Sequence, residues 1–511
     1  MSNDRAPVLV GVAQYLGRET DPTVAPDPVT MLADVATRAA YDAGVGQSLF
    51  AHVDAYFQIP LAHWNPANGA LLTAERLGID RRAQVRNTGG GGEIGVRVAN
   101  HLATEIMAGR IEAAVMTGGN VWRTAERAKA AGVELNWPTG GDPDGADDRF
   151  GQPTHPMMSD VEERHRLTRP IEAYPLFENA LRAAQGMTVA EHAQRLGDMM
   201  SEFTAVAAAN PYAWFPTFRT PEELFTPTAE NRMIGFPYTK YLNSVINTDQ
   251  AGAYVMTSVQ KARELGVPED RWVYWWGGHQ AAEEAWHVST RPNFAECPSM
   301  KDSSVGALDQ AGVGIDDIAL FDFYSCFPIA VRMACAMLGL DELDPRPFTV
   351  TGGLPYGGGP GSAYNMNSIA SMVERLREDD RSIGLVTGNG FILTKHAAAV
   401  LSARPKQGGW NRPVGPPPSA AMETAPVALD QSANGQGRIE AYTVMHDRDG
   451  QPSMGYICGR LDDNGTEGQR FLANTPEDPD LLHDLLASET IGRTGQVHID
   501  DTTGRCIFTP V

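Results

Sequence analysis

The sequence predicts an α/β protein in which one strand–helix unit occurs twice, is interrupted by a long insertion, and is followed by a small β-barrel-like domain. Three observations predict it. Short apolar strands alternate with amphipathic helices over residues 8–120 and again over 272–390, the order that builds a layered domain around a mostly parallel sheet. Each stretch contains a glycine-rich element that opens a helix, which points to an internal duplication. Beyond a Pro/Gly-rich run the pattern becomes alternating strands. These shifts place the first half at 1–260 with its insertion at about 121–235, the second half at 261–402, a linker at 403–418 and the added domain at 419–511.

Residues 8–13 read as an apolar strand, and Pro28 then opens a helix that turns Met31, Leu32, Val35 and Ala39 inward before Gly44. A strand at 53–59 and a helix at 71–78 follow. Four consecutive glycines, Gly89, Gly90, Gly91 and Gly92, lead into a helix carrying Ile94, Val98, Leu102 and Ile106, and 111–120 is a buried strand ending in a second glycine turn. Over 121–231 the period breaks into polar helices such as 189–208 and Pro/aromatic loops such as 211–215. A structureless excursion of that length is rare, so an inserted lid domain is expected.

Strands resume at 247–257 and 272–276. The strand at 317–323 runs into Tyr324-Ser325-Cys326-Phe327-Pro328 and a helix with Val331, Cys335 and Leu338. A second glycine cluster, 352–361, precedes a helix with Ile369, Met372, Val373 and Leu376. After a strand and turn at 384–390, Thr394-Lys395-His396-Ala397 reads as a further helical stretch. In the added domain, 438–444, 453–461 and 470–473 are strands, and Asp447-Arg448-Asp449-Gly450 makes a hairpin turn.

The 511-residue chain, 42% hydrophobic and 20% charged, has ordinary globular composition, and its formal charge of −22 argues against nucleic-acid or anionic-membrane partners. Arg81, Arg82, Arg86 and Arg97 around the glycines read either as a solvated rim or as a local basic patch. Five cysteines without C-x-x-C spacing suggest neither a disulfide framework nor a zinc site, and no metal is expected. With no basic-then-apolar leader and no run near 18 apolar residues, a cytoplasmic protein is expected.

Glycines before a helix leave its first N–H groups open to a ligand, or let a neighbouring loop pack closely. Gly90, Gly92 and Gly95 satisfy G-x-G-x-x-G with Glu112 downstream, yet the lead-in 81–86 is too polar for the central strand of a dinucleotide fold.

The order and spacing of Gly92, of the strand with Gly118-Gly119, of Asp249-Gln250-Ala251-Gly252-Ala253, and of the Gly352-Gly353 and Gly388–Gly390 loops resemble the thiolase superfamily. The nearest members are the sterol-carrier-protein-type thiolases and the mycobacterial thiolase-like proteins with an additional C-terminal domain. The resemblance covers about residues 8–403. It implies two βαβαβαββ halves layered α/β/α/β/α, a loop domain inserted in the first, and an acyl-CoA substrate, with coenzyme A part of that substrate and no separate cofactor. A monomer or a dimer fits it.

Thiolase chemistry needs a cysteine at a helix N-terminus, where the macrodipole favours the thiolate, and a histidine to activate it. The resemblance puts Gly89 in the cysteine's place, Gly358-Gly359-Pro360 in place of Gly-His-Pro, Gly388 or Asn389 in place of the second cysteine, and Tyr324-Ser325-Cys326-Phe327 on the oxyanion segment. Loss of nucleophile, base and acid together excludes ordinary ping-pong thiolysis.

Gly89, Gly90, Gly91, Gly92, Gly358 and Gly359 remain as expected substrate-binding backbone, and Tyr324, Tyr356 and Asn389 as catalytic candidates. A tyrosine serves as general acid or base, or simply as a buried structural ring; Asn389 would donate to an oxyanion. Cys326 reads as a nucleophile or an inert thiol, His396 as a packed or capping residue, and Tyr364 and Asn367 as further cavity residues. The expected function is action on acyl-CoA thioesters in lipid or sterol side-chain metabolism, acyltransferase-like but without the Claisen machinery. Three alternatives stand beside it: a tyrosine-dependent retro-aldol lyase on β-hydroxyacyl-CoA, a silent thioester-binding protein, and a partner scaffold. For the lyase, the residues after Pro418 would supply in cis the small β-barrel that thiolase-related steroid aldolases take from a partner.

Overall fold

The computed structural model describes residues 3–143, 148–407, 424–463 and 466–511. The first half runs β1 (Pro7–Leu16), α1 (Pro28–Asp42), β2 (Ala55–Gln58), α2 (Gly69–Leu77), β3 (Gln84–Asn87), α3 (Ile94–Met107) and β4 (Ala113–Val121). The insertion holds α4 (Trp122–Ala131), α5 (Asp160–Arg164), α6 (Pro170–Ala184), α7 (Val189–Ala209), α8 (Pro221–Phe225), β5 (Met233–Gly235) and β6 (Tyr238–Thr239). Strand β7 (Asp249–Ser258) then completes the half, with α9 (Val259–Glu264) after it. Local chemistry sets these limits. Asp27 accepts from the Thr30 N–H ahead of Pro28, and Gly78 ends α2 at φ 72°. Ser159, Thr188 and Thr220 each form a capping box with a Glu three residues on.

The second half runs β8 (Val273–Ala282), α10 (Pro298–Ala311), β9 (Leu320–Asp322), α11 (Pro328–Leu338), α12 (Gly353–Tyr356), α13 (Tyr364–Glu378), β10 (Ile383–Gly390) and β11 (Lys395–Ser402). It departs from the expected repeat at one point: no third strand forms between α11 and α13. Thr349 Oγ1, the Val350 N–H and Thr351 Oγ1 are turned instead onto the buried carboxylate of Asp322.

The nine strands lie in the order β3-β2-β4-β7-β1-β8-β11-β10-β9, and only Val8–Tyr274 and Leu9–Val273 join the halves across β1 and β8. The expectation of a mostly parallel sheet fails. β3–β2, β2–β4 and β10–β9 are parallel, and every other neighbouring pair is antiparallel. Strands buried on both faces are apolar throughout whichever way they run, so composition carries no direction. The segment 395–397 is likewise a strand, not a helix: β11 is hydrogen-bonded to β10 on one side and β8 on the other, and those ladders override the helical preference of its alanines.

Helices α3 and α13 form the middle layer between the two halves, sharing one core with residues of β1, β4, β7, β8, β10 and β11. α1 and α2 cover the outer face of the first half, and α10 and α11, with the insertion's α6 and α7, that of the second. The result is the mixed α/β thiolase fold. A buried charge cluster ties the insertion down. Glu178 of α6 pairs with Arg332 of α11 and accepts from Tyr238 Oη at 2.5 Å, while His192 Nε2 of α7 lies 2.9 Å away.

The C-terminal strands are β12 (Gly435–His446), β13 (Pro452–Asp463), β14 (Thr466–Asn474), β15 (Thr494–Asp500) and β16 (Arg505–Pro510), with α14 (Pro479–Ala487) between β14 and β15. The hairpin turn at Asp447–Gly450 joins β12 to β13, and pairing in the order β13-β14-β16-β15-β12, closed by β12 on β13, makes a five-stranded barrel. Ile439, Val444, Phe471 and Phe508 fill it, with Leu482 and Leu485 of α14 packed on them. The insertion's β5 adds to β12 through Gly235–Met445, and β6 pairs with β5. On the other face Ala441, Met445, Tyr456 and Leu472 enter the core that contains α6 and α11. Of the expected linker, 403–407 are described and 408–418 lie outside the described residues.

Candidate active site at the mouth of helix α3

Helix α3 begins at Ile94 with Glu93 as its N-cap, so Gly92 stands at the helix mouth. A Cβ on Gly92 would lie 2.2 Å from Tyr324 Oη, 2.3 Å from Tyr324 Cζ and 2.4 Å from the carbonyl oxygen of Asn389. Close approach, not positive φ, is what demands glycine here: the phenol of Tyr324 fills the space that a side chain at position 92 would take.

Tyr324 follows β9, and its N–H donates to Thr387 Oγ1 of β10 at 2.9 Å. Its ring meets that of Tyr364 edge-on at 5.3 Å. The Tyr364 hydroxyl in turn donates to Asp322 Oδ1 at 2.9 Å, so one buried carboxylate fixes both the 349–351 turn and the ring on which Tyr324 rests. Asn389 Nδ2 donates to Tyr174 Oη at 2.9 Å and approaches Cys326 Sγ at 3.8 Å. Tyr174 donates onward to the carbonyl of Phe391 at 2.8 Å and stacks on Phe327 at 4.4 Å.

Burial, and after it the neighbouring Cys326 and Glu93, raises the Tyr324 phenol well above its ordinary value. Burial does the same to Tyr174. The Cys326 thiol is pushed up to about 12, burial outweighing its hydrogen bonds. The mouth of α3 therefore presents neutral phenols and a thiol held away from its nucleophilic form.

The structure brings Tyr324, Asn389, Cys326 and Gly92 together and distributes the other expected site residues elsewhere. Gly89 is not the helix-mouth residue. It lies four residues before the N-cap, donates to the Phe150 carbonyl at 2.8 Å, and a Cβ there would meet Gly151 O at 2.7 Å. The Gly90 carbonyl accepts from Lys395. Gly358, at φ 109°, makes room for Gln250, whose Oε1 a Cβ would approach to 2.1 Å, and the Gly359 N–H is spent on Val245 O. Tyr356 is buried with an unpartnered hydroxyl, burial raises it strongly, and the charge acting on it is Arg219 of the insertion. None of the hydrogen bonds linking Asn389, Cys326 and Tyr174 reaches it. Asn367 lies beside Gly252 of β7. Arg81, Arg82 and Arg86 pair at the surface with Glu75, Asp80 and Asp148, the solvated-rim reading.

Sequence reasoning missed Glu93 and Lys395. They form a buried ion pair, Nζ to Oε1 2.8 Å, on a cavity of about 320 Å³ also lined by Arg97, Gln152, Trp286 and His396. A carboxylate directly after four glycines was the available signal; its partner, 302 positions away on β11, has none. His396 Nε2 lies 3.3 Å from Cys297 Sγ, and burial pushes the imidazole down to about 4. Among the described residues no group of three His, Cys, Asp or Glu is placed to hold a metal, and no helix is long and apolar enough to cross a membrane.

The model of the thiolase-like protein type 1 additional C-terminal domain matches residues 417–502. A 3-ketoacyl-CoA thiolase of Erwinia tasmaniensis is 28% identical over 159 residues, 28% of this chain and 34% of that protein, so the chain spans about a third of the curated relative it matches. The Ltp2-ChsH2(DUF35) aldolase shares the fold, with a TM-score of 0.57 at 19% identity over 78% of this chain and 98% of the other. A monomeric SCP2-thiolase-like protein type 1 (STLP1) from Mycobacterium smegmatis superposes with a TM-score of 0.82 at 31% identity, covering 100% of both chains. Fold, added barrel and full-length identity agree, and the chain belongs to the type 1 SCP2-thiolase-like proteins.

Proposed function

We propose that this chain acts on an acyl-CoA thioester without an acyl-cysteine, as a lyase that cleaves the carbon–carbon bond of a β-hydroxyacyl thioester by a retro-aldol reaction. The observation that carries this reading is the Tyr324 phenol seated against Gly92 at the mouth of α3, where covalent thiolase chemistry requires a thiol. A retro-aldol step needs no nucleophile. It needs an acid to protonate the carbanion left on Cα, and a phenol that burial keeps protonated supplies one. The kinship with a 3-ketoacyl-CoA thiolase supports the thioester, and the likeness to an aldolase of the same fold supports the bond that is broken. Coenzyme A is then part of the substrate, and lipid or sterol side-chain breakdown is the setting.

Acyl-CoA and β-hydroxyacyl-CoA thioesters incubated with the protein and followed by mass spectrometry test the reading. Hydroxyacyl thioesters should give a shortened acyl-CoA and a carbonyl compound, and Tyr324→Phe should lower that turnover about 10²–10⁴-fold. A stable acyl adduct on Cys326 or any other cysteine would overturn it. Thermal stabilisation by thioesters with no product would leave a thioester-binding protein.

A further inference from the structure

Glu93 is the carboxylate at the mouth of α3, and the lyase reading leaves it unused. Although it is the N-cap residue of α3, its side chain caps nothing. It turns to Lys395, whose ammonium also donates to the Gly90 carbonyl at 2.9 Å and lies over the Phe391 ring at 4.3 Å. Both residues are shielded, Glu93 at 1% and Lys395 at 5% exposure.

Glycines make the room. A Cβ on Gly91 would lie 2.2 Å from Glu93 Oε2, one on Gly390 1.8 Å from it, and one on Gly388 2.6 Å from Glu93 Cα. Two of the glycine runs conspicuous in the sequence therefore house a buried carboxylate. A well-packed apolar pair in place of a buried ion pair is often as stable or more so, so stability alone does not account for this arrangement. The pair also borders space: the 320 Å³ cavity has an apolar wall from Trp286, Pro153, Ala281 and Ala282, and it falls in the size range of small-molecule sites.

We propose that this cavity receives the β-hydroxyl end of the acyl chain, and that Glu93 binds that hydroxyl and accepts its proton. The proposal rests on the lyase reading and adds to it the base and the site of the hydroxyl, for a β-hydroxyacyl thioester with an apolar chain. In the step, the hydroxyl O–H breaks and its proton passes to the Glu93 carboxylate, while the O–H electron pair becomes the second bond of a new carbonyl. The Cα–Cβ bond breaks, and its pair enters the thioester enolate. Tyr324 then gives its proton to Cα, and Glu93 returns the first proton to the phenolate. Both side chains end as they began.

The test compares 3-hydroxyoctanoyl-CoA with octanoyl-CoA on the full chain by calorimetry, alongside turnover of the former in wild type and in the isosteric Glu93→Gln. A hydrogen bond to an ionised acceptor should make wild type bind the hydroxylated chain at least about tenfold tighter. Glu93→Gln should lose most of that preference, and about 10²–10⁴-fold in turnover. Equal affinity of wild type for the two chains would overturn the proposal without recourse to any variant. Undiminished turnover in folded Glu93→Gln would overturn it while leaving the lyase reading intact. A preference that Glu93→Gln abolishes, with no product from wild type, would uphold the hydroxyl site and remove the lyase reading.

Discussion

Replacing Gly92 by alanine tests the geometry on which the site depends. Position 92 has no left-handed backbone to forbid a side chain. At such positions Gly→Ala ordinarily stabilises by about 0.4–1 kcal/mol through the unfolded chain. Here the new Cβ would meet Tyr324 Oη at 2.2 Å, Cζ at 2.3 Å and the Asn389 carbonyl at 2.4 Å. None of these yields easily. The Tyr324 ring is backed by Tyr364 and its backbone is held by Thr387, while Asn389 sits in β10, paired with His396 of β11. Overpacking of this kind costs about 1–3 kcal/mol, so Gly92→Ala should be destabilised by that order. Gly140→Ala is the control, because nothing lies within 4 Å of a Cβ there and its φ is ordinary. The assay is the urea midpoint of both variants, repeated in Tyr324→Phe and Tyr324→Ala backgrounds. Phenylalanine keeps the ring carbon at 2.3 Å and should rescue little; alanine removes two of the three contacts and should recover part of the loss, a coupling of about 0.5–3 kcal/mol. A Gly92→Ala protein as stable as Gly140→Ala would refute the seating of the phenol at the helix mouth, and the functional reading with it.

Tyr356→Phe should leave stability unchanged or slightly raised, because its buried hydroxyl has no partner to lose, and should leave turnover unchanged; a fall of about 10²–10⁴-fold at full stability would reinstate it as the proton-transfer group. Glu178→Leu takes from the buried Arg332 guanidinium one of its two carboxylate partners, the other being Glu342, and should cost about 3–5 kcal/mol in denaturant unfolding. Burial alone would push the Glu178 carboxyl up, but Arg332, His192 and Tyr238 outweigh it and hold it at about 2, against an ordinary 4.5. Its stabilisation is therefore complete above 4.5 and lost as pH falls toward 2, and an acid titration in which the variant loses as much stability as wild type across that window would contradict this. Expressed alone, residues 419–511 should keep the closed barrel but expose Met445, Tyr456 and Leu472, which the intact protein buries, and should self-associate on sedimentation; a monodisperse monomer would show that this face does not require the insertion.

What the sequence alone determined is what depends on neighbours a few positions apart. Helix periods, the Pro28 and Gly78 limits, the capping boxes and the Asp447–Gly450 turn are written locally. Tertiary structure decided whatever depends on which distant segments meet. Periodicity reports that a strand is buried but not which strand lies beside it, so the antiparallel pairings and the strand through His396 were invisible. Where a third strand of the second half was expected, Thr349 and Val350 turn onto one buried carboxylate, Asp322, which lies 27 and 28 positions away. Four adjacent glycines look alike in a sequence; only packing distinguishes Gly89, turned to the insertion, from Gly92, pressed on Tyr324. Glu93 and Lys395 stand 302 positions apart, and nothing in either neighbourhood specifies the other. The chain brings them together because the start of β11 lies at the mouth of α3, a consequence of how the two halves pack and not of any local preference.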